Sequence, residues 1–131
     1  MSPRSLHALA ACLLLSVTLA ACDLGSSGRG SYAASLTGDG RMFGAALLLV
    51  TGEGLMGAEG VGGTLAWSGP ILPETGEMRL LLVDPGSTGI MTFRLTVRDV
   101  SAPVPSFTFL QVVDRDNRRV TPGDTRIRLE R

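Results

Sequence analysis

Residues 90–98, IMTFRLTVR, hold the clearest structural pattern in this chain of 131 residues. Apolar side chains at odd positions alternate with polar side chains at even positions: Met91, Phe93, Leu95 and Val97 against Thr92, Arg94, Thr96 and Arg98. Successive side chains of a β-strand point to opposite faces of the sheet. The pattern therefore predicts a strand over residues 90–100, with one face in a core and the other in water.

Similar short runs lie on both sides of this strand, separated by glycine, proline and aspartate, and no segment after residue 31 has helical periodicity. We predict further strands over residues 32–36, 41–51, 63–68, 77–83, 107–113, 119–121 and 125–131. In the last of these, Ile127 and Leu129 should face inward, while Arg126, Arg128 and Glu130 face outward. The sequence thus predicts seven or eight short antiparallel strands.

This strand content predicts an all-β fold, a small antiparallel β-sandwich of immunoglobulin-like or transthyretin-like architecture. A small closed β-barrel is the alternative. The comparison concerns architecture alone, because unrelated functions share these folds.

Four stretches carry more specific structural predictions. Asp39-Gly40 favours a hairpin turn after the first strand. Residues 47–50, Leu-Leu-Leu-Val, are apolar on both faces and predict a central, covered strand. Residues 52–63 contain six glycines and are typical of a long loop. Trp67 is expected to anchor the core or its rim.

The glycine-rich stretch also matches a dinucleotide fingerprint formally, with Gly52, Gly54 and Gly57 at the required spacing. The later glycines would break the helix that must bind the pyrophosphate, so no cofactor is predicted.

The N-terminal 22 residues combine a positive charge, an apolar stretch and two small residues before a cysteine: Arg4, residues 8–19, Ala20 and Ala21, and Cys22. Leu19-Ala20-Ala21-Cys22 resembles the lipobox of bacterial lipoproteins, and the preceding residues resemble their signal peptide. The resemblance implies that residues 1–21, an N-terminal signal helix, are removed and that Cys22 is lipidated. Plain secretion after a cut beside Ala20 or Ala21, and an uncleaved anchor, are the alternatives.

The resemblance also implies where the chain resides. Residues 22–31, rich in glycine and serine, would form a lipidated, flexible tether, and residues 32–131 a single β-domain. The chain would be anchored by lipid to a bacterial cell membrane and would be extracytoplasmic. Asp23 resembles the inner-membrane retention signal of enterobacterial lipoproteins, but other lineages use other rules, so inner and outer membrane both stay open.

Composition excludes several function classes. Twelve basic residues, all of them arginine, balance twelve acidic residues, so no overall positive charge favours nucleic acid. The only histidine, His7, and Cys12 lie in the signal segment, and Cys22 would carry lipid. The mature chain would then lack a serine-histidine triad, a cysteine nucleophile and a histidine metal site, and we predict no enzymatic activity.

Two stretches near the C-terminus could bind ions or partners. Asp114, Asp116 and Asn117 place oxygen ligands in one turn and partly match a calcium loop, but the match lacks the glycine and the downstream glutamate, so we favour an aspartate-rich hairpin turn and predict no metal. Five arginines could form a patch for lipid phosphate or an acidic partner, or could be solvated residues that protect a sheet edge: Arg115, Arg118, Arg119, Arg126 and Arg128.

The sequence therefore favours a lipid-anchored, non-catalytic binding or structural module of the bacterial envelope with an envelope protein as partner. A small-ligand carrier with a barrel cavity and a small anchored hydrolase using two carboxylates are the alternatives.

Overall fold

A computed structural model describes residues 28–38, 43–86 and 88–131 of the chain. The predicted signal helix, Cys22 and Asp39-Gly40 lie outside these residues. The described part contains nine β-strands: β1 (Gly30–Thr37), β2 (Phe43–Thr51), β3 (Leu55–Val61), β4 (Leu65–Ser68), β5 (Glu77–Val83), β6 (Ile90–Val97), β7 (Ser106–Asp114), β8 (Arg119–Val120) and β9 (Arg126–Glu130). A single 3-10 turn, Pro122–Asp124, joins the last two strands.

The strands form two antiparallel sheets. One has four strands in the order β3-β6-β1-β9, and the other has five in the order β4-β5-β2-β7-β8. The predicted all-β sandwich is confirmed, and the two sheets do not close into the alternative barrel.

The strand predicted from residues 90–98 is β6, which pairs with β1 along its whole length, from Gly30 opposite Val97 to Thr37 opposite Ile90. Its four odd-numbered apolar residues from Met91 to Val97 are buried, as the alternation predicts. On its polar side, Arg94 forms an ion pair of 2.8 Å with Glu59 of β3. One short pattern therefore sets which face of the four-stranded sheet meets the core.

The core lies between the inner faces of the two sheets, and both sheets contribute aliphatic and aromatic side chains to it. Phe93 of β6 meets Phe107 of β7 across the interface, edge to face, with ring centroids 6.1 Å apart. Such pairs add to the stability gained from apolar burial. The contact connects a strand of one sheet directly to a strand of the other.

The predicted hairpin after the first strand is wrong. β1 pairs with β6 and β9, whereas β2 pairs with β5 and β7, so the chain crosses from one sheet to the other between them. A dipeptide favours a tight turn locally, but long-range pairing decides which strands become neighbours.

The predicted loop over residues 52–63 is also wrong, because most of it forms β3 at the edge of the four-stranded sheet. Pairing with β6 uses backbone groups and does not require side chains. Gly60 has a specific steric role, since a Cβ there would lie 1.9 Å from the carbonyl oxygen of Thr64. Glycine is favoured where two backbones approach this closely.

β2 is the central strand of its sheet, as predicted, but it is covered on one face alone. Ala46, Leu48 and Val50 are buried, whereas Leu47 and Leu49 point outward and are partly exposed. Trp67 of β4 likewise lies outside the core, with 55% of its surface exposed. The five-stranded sheet therefore has an apolar outer face.

Among the described residues, we find no helix with the length and apolar character that crossing a bilayer requires.

Two adjacent leucines of β5 test the assignment of the two faces. Leu80 is completely buried and Leu81 is 38% exposed. Leu80→Ala should lower the free energy of unfolding by about 2–5 kcal/mol, because it leaves a cavity in the core. Leu81→Ala is the matched control and should cost less than about 1 kcal/mol. Urea denaturation of dilute protein measures both, and equal losses would contradict the assignment.

Candidate binding surfaces

The five arginines predicted as a patch lie at one corner of the sandwich. β8 and β9 are edge strands of different sheets, and five residues, 121–125, join them, so both edges lie on the same side. The β7–β8 turn contributes two of the arginines, β8 one and β9 two: Arg115 and Arg118, Arg119, and Arg126 and Arg128. All five are exposed. We call this group the arginine corner.

The charges of the arginine corner are only partly neutralised. Arg128 forms an exposed ion pair of 3.1 Å with Glu130. Arg119 and Arg126 form no ion pair with a carboxylate of the described residues. Exposed guanidinium groups can bind carboxylate or phosphate through two parallel hydrogen bonds. The corner therefore offers donors that an anionic partner can use.

The arginine corner lies far from the start of the domain. Gly30 begins β1, and Thr37 at its other end pairs with Arg126. Seven residue steps in a strand span about 23 Å. We call the end of the sandwich near Thr37 the distal end. Antiparallel pairing also brings the β7–β8 turn there, because Phe43 at the start of β2 pairs with Asp114.

The carboxylate of Asp114 stabilises the aspartate-rich turn from within. Asp114 Oδ1 accepts hydrogen bonds of 2.9 Å from the backbone N–H groups of both Asp116 and Arg118. Asn117 has φ 61°, a left-handed conformation that asparagine tolerates well. Asp114, Asp116 and Asn117 thus form a hairpin turn closed by a side chain. No group of three or more histidine, cysteine or carboxylate residues suited to a metal occurs in the described ranges.

The N-terminal end of the domain is fixed by a second side-chain turn. Asp99 Oδ1 accepts hydrogen bonds from the hydroxyl and the backbone N–H of Ser101, at 2.7 and 2.9 Å. These bonds, with help from the backbone N–H of Gly28, hold the pKa of the Asp99 carboxyl below its ordinary value. Gly28 in turn accepts a hydrogen bond from the N–H of Val100. The chain therefore enters β1 from a defined point.

The outer face of the five-stranded sheet carries an apolar surface that the sequence patterns did not predict. Cross-strand pairing places Trp67, Leu81 and Leu47 in one row and Leu65, Val83 and Ala45 in the next. The nine apolar residues that share this outer face are Ala45, Leu47, Leu49, Leu65, Trp67, Leu81, Val83, Leu110 and Val113. We call them the apolar face.

The outer face of the four-stranded sheet has the opposite character. Its outward positions include two ion pairs, Arg94 with Glu59 and Arg128 with Glu130, along with serine and threonine side chains. An antiparallel sheet commonly has one apolar and one polar face. The five-stranded sheet instead carries the apolar face on its outer side, and contiguous exposed apolar patches mark interaction sites.

A cleft at the N-terminal end bears on the hydrolase alternative. It has a volume of about 580 Å³ and is lined by the β2–β3 turn, residues 71–76 and Arg98. Glu53 and Glu74 both lie on its wall, so two carboxylates share one cleft. The cleft is open to solvent, and both residues are exposed. The carrier alternative required a barrel interior, and the described sheets form an open sandwich with a packed core.

Sequence reasoning found the arginines but missed the apolar face. The alternation in β9 identified Arg126 and Arg128 as outward residues, and that pattern is observed. The signal for the apolar face was present in Leu47–Val50 and in Leu80–Leu82, where apolar residues fill consecutive positions. Such runs usually indicate a strand covered on both sides.

Comparison with known protein families, with curated proteins and with solved structures finds no match. The functional interpretation therefore rests on the surfaces described above.

The Asp114 turn generates a stability prediction. Asp114→Ala removes the acceptor of two backbone N–H groups and should lower the free energy of unfolding by about 1–2 kcal/mol. Asp116→Ala is the matched control in the same turn, because its carboxylate closes no backbone hydrogen bond there. Thermal unfolding with and without calcium measures both effects. Equal losses would contradict the turn assignment, and a calcium-dependent rise that Asp114→Ala abolishes would support the calcium hypothesis.

Proposed function

We propose that this chain is a lipid-anchored, extracytoplasmic and non-catalytic binding module of the bacterial envelope, and that its arginine corner binds an acidic envelope protein. The lipobox resemblance at Leu19-Ala20-Ala21-Cys22 supports the anchor. The convergence of five exposed arginines, from one turn and two edge strands, carries the proposal for binding.

The position of the arginine corner favours an acidic protein over the headgroups of the anchoring membrane. The proposed tether joins the domain at Gly28, whereas Arg126 lies beside Thr37 at the distal end of β1. An upright domain would hold the corner about 23 Å beyond the start of β1. From there it can meet a protein that extends from the membrane or from another envelope layer.

Arginine suits this role because its planar guanidinium pairs with carboxylates through two hydrogen bonds. Charged rims mainly accelerate and orient association, so binding of this kind weakens as salt screens the charges. The two edge strands of the corner hold Arg119, Arg126 and Arg128 on backbone that is hydrogen-bonded to a neighbouring strand.

The anchor is tested by expressing the full chain and its Cys22→Ala variant in a host that processes lipoproteins. The wild-type chain should lose residues 1–21, gain the mass of a diacylglycerol and sediment with membranes, because the thiol of Cys22 carries the lipid. Cys22→Ala should show none of these changes. Cys12→Ala is the matched control and should behave like the wild type. A wild-type chain that is cut without gaining lipid and remains in the supernatant would contradict the anchor.

The binding role is tested with a triple variant, Arg118→Ser, Arg126→Ser and Arg128→Ser, in the full chain. After formaldehyde treatment of intact cells and purification through a tag, recovery of cross-linked acidic envelope proteins should fall about tenfold, because three charges of the interface are lost. The control replaces three exposed arginines outside the corner, Arg29, Arg94 and Arg98, by serine. Equal recovery from both variants would contradict the assignment of the arginine corner as the binding site.

A further inference from the structure

We propose that the apolar face is the contact through which two copies of this chain associate, with their five-stranded sheets stacked face to face. This contact borders the arginine corner at Arg119, and it requires neither the lipid anchor nor the acidic partner.

The size of the apolar face suits a contact between two copies. Its residues fill two rows across β4, β5, β2 and β7, and Leu49 adds one position in a third row. With strands about 4.8 Å apart and rows about 6.8 Å apart, these positions cover roughly 300 Å² in projection. Two such faces bury about 600 Å², and the polar positions beside them, among them Arg79, Thr108 and Arg119, bring the contact to the ~1,000 Å² that specific interfaces exceed. The area therefore suits a small dimer interface.

The apolar face carries both a projection and a depression. The register between β2 and β7 shifts between Leu47 and Leu48, and Leu110 is exposed at this bulge. Beside Leu110, a shallow groove of about 190 Å³ is lined by Ala45, Leu47, Leu81, Gln111 and Val113, among others. An interface between identical copies uses the same patch twice, so one patch must supply both shapes.

The charges around the apolar face permit the approach of a second copy. On its outer positions β5 carries Glu77 and Arg79, one of each sign, and β8 carries Arg119. A mixed rim does not repel a second copy as a single-sign rim would. Within the domain, the two sheets already stack with their apolar inner faces together. Sheets packed in this way lie about 10 Å apart with nearly aligned strands.

Leu47 lies close to the centre of the apolar face. β5 and β2 are the two middle strands of this face, and Leu47 of β2 pairs with Leu81 on one side and Gln111 on the other. We therefore place the twofold axis at Leu47. In a twofold contact the central residue lies opposite its own copy. A cysteine at this position should therefore meet the same cysteine of the second chain.

The test introduces Leu47→Cys into the full chain and oxidises intact cells with copper phenanthroline. A disulfide-linked dimer should form about tenfold more efficiently than with Ala33→Cys, an exposed position on the opposite sheet. The reason is that position 47 lies near the twofold axis and position 33 does not. Leu49→Cys gives a second position on the same strand, so the test does not depend on one variant folding. The unmodified chain controls for disulfides through Cys12 and Cys22.

A second change tests whether the cross-link depends on the apolar face. Adding Leu81→Arg to Leu47→Cys should lower the dimer yield about tenfold, because it brings two positive charges into a face without compensating carboxylates. Equal cross-linking at positions 33 and 47 would indicate random collision and overturn the proposal. No dimer at either 47 or 49 would also overturn it, and would assign the face to a lipid surface, another protein or another segment of the chain. The anchor and arginine experiments report independently of this result.

Discussion

The antiparallel pairing of β1 between β6 and β9 is the constraint on which the rest of the structure depends. It holds one sheet together from the first described strand to the last and fixes the register of the three strands. Tyr32, Ala34 and Leu36 must then face the core together with the buried side of β6. A shift of one residue would move this entire set to the solvent side, so the register is strongly specified.

The sequence predicted those strands whose own residues alternate. β6 and β9 each display their buried and exposed sides within a few residues, and both were identified with the correct inward side chains. β3 could not be identified in this way, because its glycines are typical of loops while its strand conformation depends on pairing with β6. The sequence also does not show which sheet each strand joins, because this depends on long-range pairing. The Asp39-Gly40 signal therefore wrongly favoured pairing between β1 and β2.

The two candidate binding surfaces differ in the same way, because local alternation predicts one of them and not the other. The arginine corner was predicted because the outward residues of β9 follow from local alternation, and the topology then brought Arg119 to the same side. The apolar face was missed because apolar residues on both faces of β2 indicate burial, but do not reveal what supplies it. Within the described residues, the core covers the inner face alone. In the proposed dimer, the second chain would cover the outer face of β2.

The length of β1 has a consequence for the geometry of the envelope. The strand begins at Gly30, within the range 22–31 predicted as tether, and ends beside Arg126. The register that stabilises the four-stranded sheet therefore also sets the distance between the anchored end and the arginine corner. A rigid strand transmits this distance without compression, whereas a flexible linker of equal residue count would vary in reach. On the proposed anchoring, the sandwich acts as a spacer of fixed height. Its strand length then determines how far from the bilayer the arginines can meet a partner.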